Sequence, residues 1–216
     1  MTFNFENAYI KDTDIVVGPF EKKGPLGKYF HKSYDDFYFG TKTWEEAETK
    51  IASETIFNLV KRNKIDLIIG GDLLNQIVAT SFATIKTNIP FMGIYNACAT
   101  STEGIIIASS LVDSKNASNV LVNVSSHNNA AEKQFRYPVE YGGPKPKYAT
   151  FTVTGSAGIV ISSEETRIRV ESGTIGEIVD YNIKDAYNMG AVMAPACART
   201  IYNHLHDLNR MQITMI

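Results

Sequence analysis

The sequence has little cysteine: Cys98 and Cys197 are the two in 216 residues. Two thiols make no disulfide framework, and a reducing compartment is the simpler reading. It has no excess of charge of either sign, with 21 Lys and Arg against 23 Asp and Glu and a formal net charge of −2. That balance argues against an electrostatic nucleic-acid binder, so no nucleic-acid partner is expected. It has no long apolar run either. The longest, Gly104 to Val112, is interrupted by two serines, and a membrane span needs about 20 apolar residues. The opening Met1-Thr-Phe-Asn-Phe-Glu6 lacks the basic region and apolar core of a signal peptide. The expectation is a chain that is soluble, or at most peripheral to a membrane. No cofactor and no metal are expected. What remains, 44% hydrophobic and 20% charged residues, is an ordinary globular composition.

Residues 1–40 are rich in Gly, Tyr and Lys with weak periodicity, and read as an ordered arm or long loop. A helix follows. Thr43 and Glu46 have capping-box spacing, and Trp44, Ala47, Ile51, Ile56, Leu59 and Val60 recur roughly at helical spacing up to Lys61 and Arg62. Strands are expected at Ile65–Ile69, Ile89–Ile94, Asn119–Val124, Ala157–Ile161 and Arg167–Val179. Helices are expected at Leu74–Lys86, Cys98–Val112 and Met189–Leu208, and a long polar loop over Ser125–Thr150. Alternating strands and helices imply an α/β fold with a largely parallel sheet. The helix after Cys98 carries Ile105, Ile106, Ile107, Leu111 and Val112 with no polar stripe beyond two serines. Such a helix is expected to be buried on all sides, in a middle layer between two sheets. Thr55-Ile-Phe-Asn-Leu59 and Thr200-Ile-Tyr-Asn-His-Leu205 echo each other, as one repeat unit and the opening helix of a second would.

Asn96-Ala-Cys-Ala-Thr-Ser101 sits where a strand turns into that apolar helix. A thiol at a helix N-terminus faces free amides and the positive end of the dipole, which lower its pKa and attract anions. Two readings stay open for Cys98: a nucleophile or ligand-contacting thiol, and a small core residue. Cys197, among alanines in the last helix, reads as core filler. Asp72, after Gly70-Gly71, reads as a cap for the next helix, Lys133 and Arg136 as a solvated helix face, and Asp185 as a turn or cap residue.

The turn Asn96–Ser101 and the strand Thr154-Gly-Ser-Ala-Gly-Ile-Val-Ile161 resemble the nucleophile turn and the Gly/Ala-rich strand of thiolases and ketoacyl synthases. A closer resemblance covers nearly the whole chain. Gly24-Pro-Leu-Gly27, Gly71-Asp-Leu-Leu-Asn-Gln76, Ser125-Ser-His-Asn128, Glu132–Pro138, Glu140–Gly143 and Met189–Pro195 are similar to the stage V sporulation protein AD family. The resemblance implies a thiolase-like αβαβα sandwich, here mostly its first βα half with a mixed, largely parallel sheet. It divides the chain into an arm at 1–40, a first half at 41–185 and the opening helix of an incomplete second half at 186–216. The second half of such proteins, which supplies the His and the His or Asn around the nucleophile, is absent from this sequence, which reads as truncated near Arg210.

The resemblance further implies a spore-former's protein that binds dipicolinic acid, free or as its calcium chelate. With membrane proteins of the same operon it would support uptake into the developing spore. The protein is expected in the cytoplasm or forespore, peripheral to the spore inner membrane, and a homodimer is a further expectation. The scaffold is expected to be non-catalytic; the alternative is an acyl-transferring enzyme with Cys98 as nucleophile. Dipicolinate is a flat dianion, so its site needs anion donors and an apolar slot. The expected contacts are backbone amides of Cys98, Ala99 and Thr100, the Ser101 hydroxyl, and His127 and Asn128, which follow a strand at the same carboxyl edge of the sheet. Each has a structural reading beside this one: Ser101 in the first helical turn, His127 and Asn128 as caps of their own loop.

Overall fold

Thr43 and Glu46 form the capping box that their spacing predicts: the Thr43 hydroxyl accepts from the Glu46 amide at 3.2 Å and the Glu46 carboxylate accepts from the Thr43 amide at 3.3 Å. The helix they open, Trp44–Arg62, buries Ala47, Glu48, Ile51, Ala52, Thr55, Ile56 and Leu59 along one stripe. Thr43→Ala is expected to cost about 1 kcal/mol, read as a lower denaturation midpoint.

The computed structural model describes residues 1–135, 151–185 and 188–210. These form two units, 7–169 and 1–6 with 170–216. In chain order the elements are β1 (Thr2–Asn4), β2 (Tyr9–Val17), α1 (Pro19–Lys23), β3 (Lys32–Ser33), α2 (Trp44–Arg62), β4 (Leu67–Asp72), α3 (Val78–Thr84) and β5 (Phe91–Gly93). They continue with α4 (Thr100–Asp113), β6 (Asn119–Ser126), α5 (Asn128–Phe135), β7 (Gly155–Ser162), β8 (Ser172–Thr174) and α6 (Met189–Asp207).

The larger unit holds a six-stranded sheet in the order β3-β2-β7-β6-β4-β5. Only β7 runs against the other five, so the sheet is mixed and largely parallel as expected. Strand alternation assigns the helices to its two faces. Leu121 clusters with Ala52, Ile56 and Leu59 of α2 and Ala83 of α3, whereas Val122 lies against Gly104 of α4. Gly70 meets Thr80 of α3 and Gly71 meets Thr100 of α4. Thus α2 and α3 cover one face, and α4 covers the other.

Several expectations are corrected here. The segment 1–40 is not an arm or long loop throughout, because it contributes β2, which lies between β3 and β7. Lys11, Asp12 and Asp14 disguise that strand. Arg62 of α2 neutralises both acids, at 2.9 Å from Asp12 and 3.5 Å from the buried Asp14, which also accepts from Asn58 at 3.0 Å. The polar stretch after β6 is not all loop, since it contains α5; residues 136–150, Arg136 among them, lie outside the described residues. Within Arg167–Val179 the strand is only Ser172–Thr174. Helix α4 is not buried on all sides: Gly104, Ala108, Ser109 and Val112 are buried, while Ile105, Ile106, Ile107 and Leu111 are only partly covered. Its sheet covers one face of the helix.

In the smaller unit β1 pairs antiparallel with β8. A hydrogen-bonded chain ties both to α6: His204 to Thr174 at 2.8 Å, Thr174 to Thr2 at 2.9 Å, and Thr2 to Asp207. His204 is spent on this tie. No α6 residue is buried, and Cys197 is exposed, which corrects its reading as core filler. The echoed segments fall on corresponding structures. Thr55 of α2 stands over Gly158 of β7, and Thr200 of α6 stands over Gly176 just past β8.

Candidate functional site

The short strand β5 delivers the chain to a single helical turn, Ala97–Ala99, from which α4 departs. Ala97 has φ +44°, a left-handed conformation that a residue with a Cβ adopts at a cost of order 1–3 kcal/mol. Thr100 holds it there. Its buried hydroxyl accepts from the Asn96 amide at 2.9 Å and donates to the Ala97 carbonyl at 2.8 Å. The turn leaves Cys98 exposed, which removes the core-residue reading of this thiol. Two of the expected anion donors are spent within the turn: the Ala99 amide donates to Asn96 O at 2.9 Å and the Thr100 amide to Ala97 O. The half-buried Ser101 follows in the first turn of α4.

Just ahead of the turn lies an open hollow of about 290 Å³, lined by Asn75, Gln76, Ile77, Gly93, Ile94 and Tyr95. Its floor is strained: Gln76 and the β-branched Ile77 are both left-handed, at φ +63° and +49°. Ile77 lies so close to Gly93 that a Cβ there would stand 2.1 Å from its Cδ1. The Asn75 amide is anchored on Gln134 of α5 at 3.0 Å.

His127 follows β6 at the carboxyl edge and Asn128 opens α5, but they do not join this turn. Counting by twos from Leu121 carries His127 to the face covered by α2, whereas Cys98 opens α4 on the other face. His127 is fully buried, edge-on to Phe37 and Phe39. Its Nε2 lies 2.7 Å from the Phe37 carbonyl, which only accepts, so Nε2 carries the hydrogen. Its Nδ1 faces the Ala130 amide at a long 3.5 Å. Burial lowers its pKa, against the pull of the Phe37 carbonyl, and the ring stays neutral. Asn128 is buried as well. Its amide donates to Thr154 Oγ1 at 2.9 Å and its Oδ1 accepts from the Thr152 amide at 3.1 Å. Both residues fasten the chain between β6, α5 and β7.

Beneath that segment lie two carboxyl groups. Asp72 does cap the next helix: it accepts from the Leu74 amide at 3.0 Å and from the Thr80 amide and hydroxyl at 2.7 Å each. Burial nevertheless raises its pKa. Glu48 escaped sequence reasoning, although it falls on the buried stripe of α2 one turn after Trp44. It is completely buried, and Oε1 accepts from Ser125 Oγ at 2.9 Å. Burial, with the Asp72 carboxylate adding to it, pushes Glu48 up to about 8. Lys133 is exposed and pairs with Glu45 at 3.1 Å, and Asp185 is exposed with its carbonyl accepting from Asn188. Among the described residues there is no cluster of metal-binding side chains, and no helix is long and apolar enough to cross a membrane.

Solved structures share this architecture. Cerulenin-bound OleA of Xanthomonas campestris matches with a TM-score of 0.60 and 13% identity, over 97% of this chain and 74% of that one. The 3-oxoacyl-(acyl carrier protein) synthase III of Xanthomonas oryzae matches with a TM-score of 0.56 and 15% identity, over 97% and 75%. They establish a thiolase-like α/β fold. In sequence, the chain is 44% identical over 215 residues to the stage V sporulation protein AD of Bacillus subtilis strain 168, covering 97% of this chain and 64% of that protein. It thus spans less than two thirds of that relative's length. The family model described as stage V sporulation protein AD matches residues 1–214. With that match extending through both the cysteine turn and the Ser125–Asn128 segment, the chain belongs to the stage V sporulation protein AD family.

Proposed function

We propose that this chain is a sporulation protein that binds dipicolinic acid, free or as its calcium chelate, on a non-catalytic thiolase-like scaffold. The family match over residues 1–214 carries this reading. The ring of the ligand enters the hollow beside Tyr95, and a carboxylate reaches the exposed Cys98 and the Ser101 hydroxyl. This assignment narrows the expected contact set. Ala99 and Thr100 shape the turn with amides that are already bonded, and His127 and Asn128 hold the chain after β6. The protein acts in the forespore at the inner membrane, with membrane proteins of its operon as partners. A second copy of the chain is a further partner. The outer edge of β5, unpaired among the described residues, with Met92, Phe82 and Ile85 exposed beside it, supports that pairing.

Titration calorimetry with dipicolinate, with and without calcium, tests the reading. Ser101→Ala and Cys98→Ala are each expected to weaken binding about tenfold, the loss of roughly one hydrogen bond to a charged group. Unchanged affinity in both would sink the assignment to this turn. No binding by the parent protein would leave only a structural role. The exposed thiol at the start of α4 supports one other reading, acyl transfer. In that step the Cys98 thiolate attacks a thioester carbonyl, a new thioester forms on Cys98, and the substrate's C–S bond breaks to release its sulfur as thiolate. Rapid alkylation of Cys98 together with thioester turnover would favour it. His127, buried on the other face, is not placed to act as its base.

A further inference from the structure

Glu48 and Asp72 are buried acids facing the end of β6 from α2 and β4, with no cation paired to either among the described residues. Their hydrogen bonds differ. Asp72 receives three donors, the Leu74 amide and the Thr80 amide and hydroxyl, which suits an ionised carboxylate. Glu48 receives the Ser125 hydroxyl on Oε1 and faces the His127 amide, and its Oε2 is buried with no partner. An unmatched buried oxygen suits a neutral acid, because a buried unpaired charge is far costlier than a buried hydroxyl. Two like charges in one apolar site do not both ionise readily. Asp72 therefore holds the charge and Glu48 the proton.

The segment that Glu48 touches is Ser125-Ser-His-Asn128. It runs directly into α5, and through Asn128 it grips Thr152 and Thr154 at the entry to β7. Gln134 of α5 in turn anchors Asn75 at the hollow. We propose that Glu48 is a positioning residue for the ligand site: protonated, it seats the Ser125–Asn128 segment and α5; ionised, it repels Asp72 and loosens them. The ligand part of this inference rests on the dipicolinate reading above.

Among the described residues, Glu45 lies one turn earlier on α2 and pairs with Lys133 of α5, α5 also carries Glu132, and His127 stands just ahead of it. The sequences of α3, β6 and β7 contain no acid, base or histidine. Of these, Glu48 is the group pushed into the range near pH 8.

Two readouts on the full chain test the proposal between pH 7 and 9, where dipicolinate itself does not titrate. The first is dipicolinate affinity. It is expected to fall about tenfold with rising pH in the parent protein. In Glu48→Gln, which keeps the shape without the charge, it is expected to stay within twofold. The second is the emission of Trp44, the single tryptophan, one helical turn from Glu48 and packed on Leu74, Ala79 and Ala130. It is expected to titrate with a midpoint near 8 in the parent and to remain flat in Glu48→Gln. Superimposable profiles for the two proteins in both readouts would overturn the inference, as would a flat affinity profile in a parent that binds, or an affinity in Glu48→Gln that falls with pH as steeply as the parent's. If the parent binds no dipicolinate at any pH, the ligand reading fails. The Trp44 titration, lost or kept in Glu48→Gln, then decides on Glu48 alone.

Discussion

Gly71→Ala is expected to destabilise the protein by about 3 kcal/mol, the upper end of overpacking costs, and to displace the cysteine turn. A Cβ at Gly71 would stand 2.2 Å from the carbonyl oxygen of Ile94 and 2.8 Å from Thr100 Cγ2. The first contact is backbone against backbone, so no side-chain rotation relieves it. Ile94 is also tied to the sheet through its amide, which donates to Gly70 O at 3.0 Å. Pushing it outward moves the chain that enters the turn, and pushing Thr100 moves the hydroxyl that fastens Asn96 and Ala97. The expected result is a lower denaturation midpoint together with faster alkylation of Cys98. Gly190→Ala is the matching control. A Cβ there meets nothing nearer than Asn188 Oδ1 at 3.9 Å, so stability is expected to hold or rise slightly. Equal midpoints for the two variants would refute the close approach at Gly71.

The second large effect is on stability against pH. The pKa of Glu48 in the folded protein, about 8, is above the ordinary value of 4.5. Below pH 4.5 both folded and unfolded chains hold the proton, and the group has no effect. From there to about pH 8 the unfolded chain releases a proton that the folded chain keeps. Stability therefore falls as pH rises, by about 1.4 kcal/mol per unit for this one group, and levels off above that range. Glu48→Gln removes the dependence, so its stability relative to the parent is expected to grow with pH to several kcal/mol near pH 8. His127 acts in the opposite direction. Its lowered pKa means a proton is excluded on folding, so its contribution is present above the ordinary value of 6.5 and lost as pH falls through the lower folded value. Both proteins share His127, and their difference isolates Glu48. Denaturant midpoints from pH 5 to 9 measure it, and a difference that does not change with pH would contradict the buried proton.

Local signals in the sequence predicted much of the site. The capping box and the strand-to-helix change at Cys98 each depend on neighbours in sequence, and each appears where it was expected, whereas β4 runs on through Gly70-Gly71 to Asp72 instead of ending before them. Partners distant in sequence decided the rest. Strand β2 was hidden because its acids depend on Arg62 of a helix that comes later. Glu48 was hidden because a glutamate on a helix ordinarily faces water, and only the Ser125 hydroxyl and the apolar stripe around it show that this one does not. His127 was placed at the right edge but on the wrong side of it. The period of two along β6 puts it under α2, away from Cys98. The amides of Ala99 and Thr100 were offered to a ligand, but the bonds inside the turn that occupy them are not visible in composition or spacing.

The reversed strand β7 also governs how the molecule must assemble. It lies between β2 and β6 and pairs with both along its length, Val17 with Gly155 and Tyr9 with Ser162 on one side, Ser126 with Gly155 and Asn119 with Ser162 on the other. During synthesis β2 leaves the ribosome first and has no route into the main sheet until β7 follows. At ordinary translation rates that interval is on the order of ten seconds. For that time the chain carries two unpaired strand edges, and the pairing that finally closes them is among the most distant in sequence, a topology that folds slowly. Ribosome-bound chains that end before Gly155 should thus be the form most exposed to aggregation and most in need of chaperones.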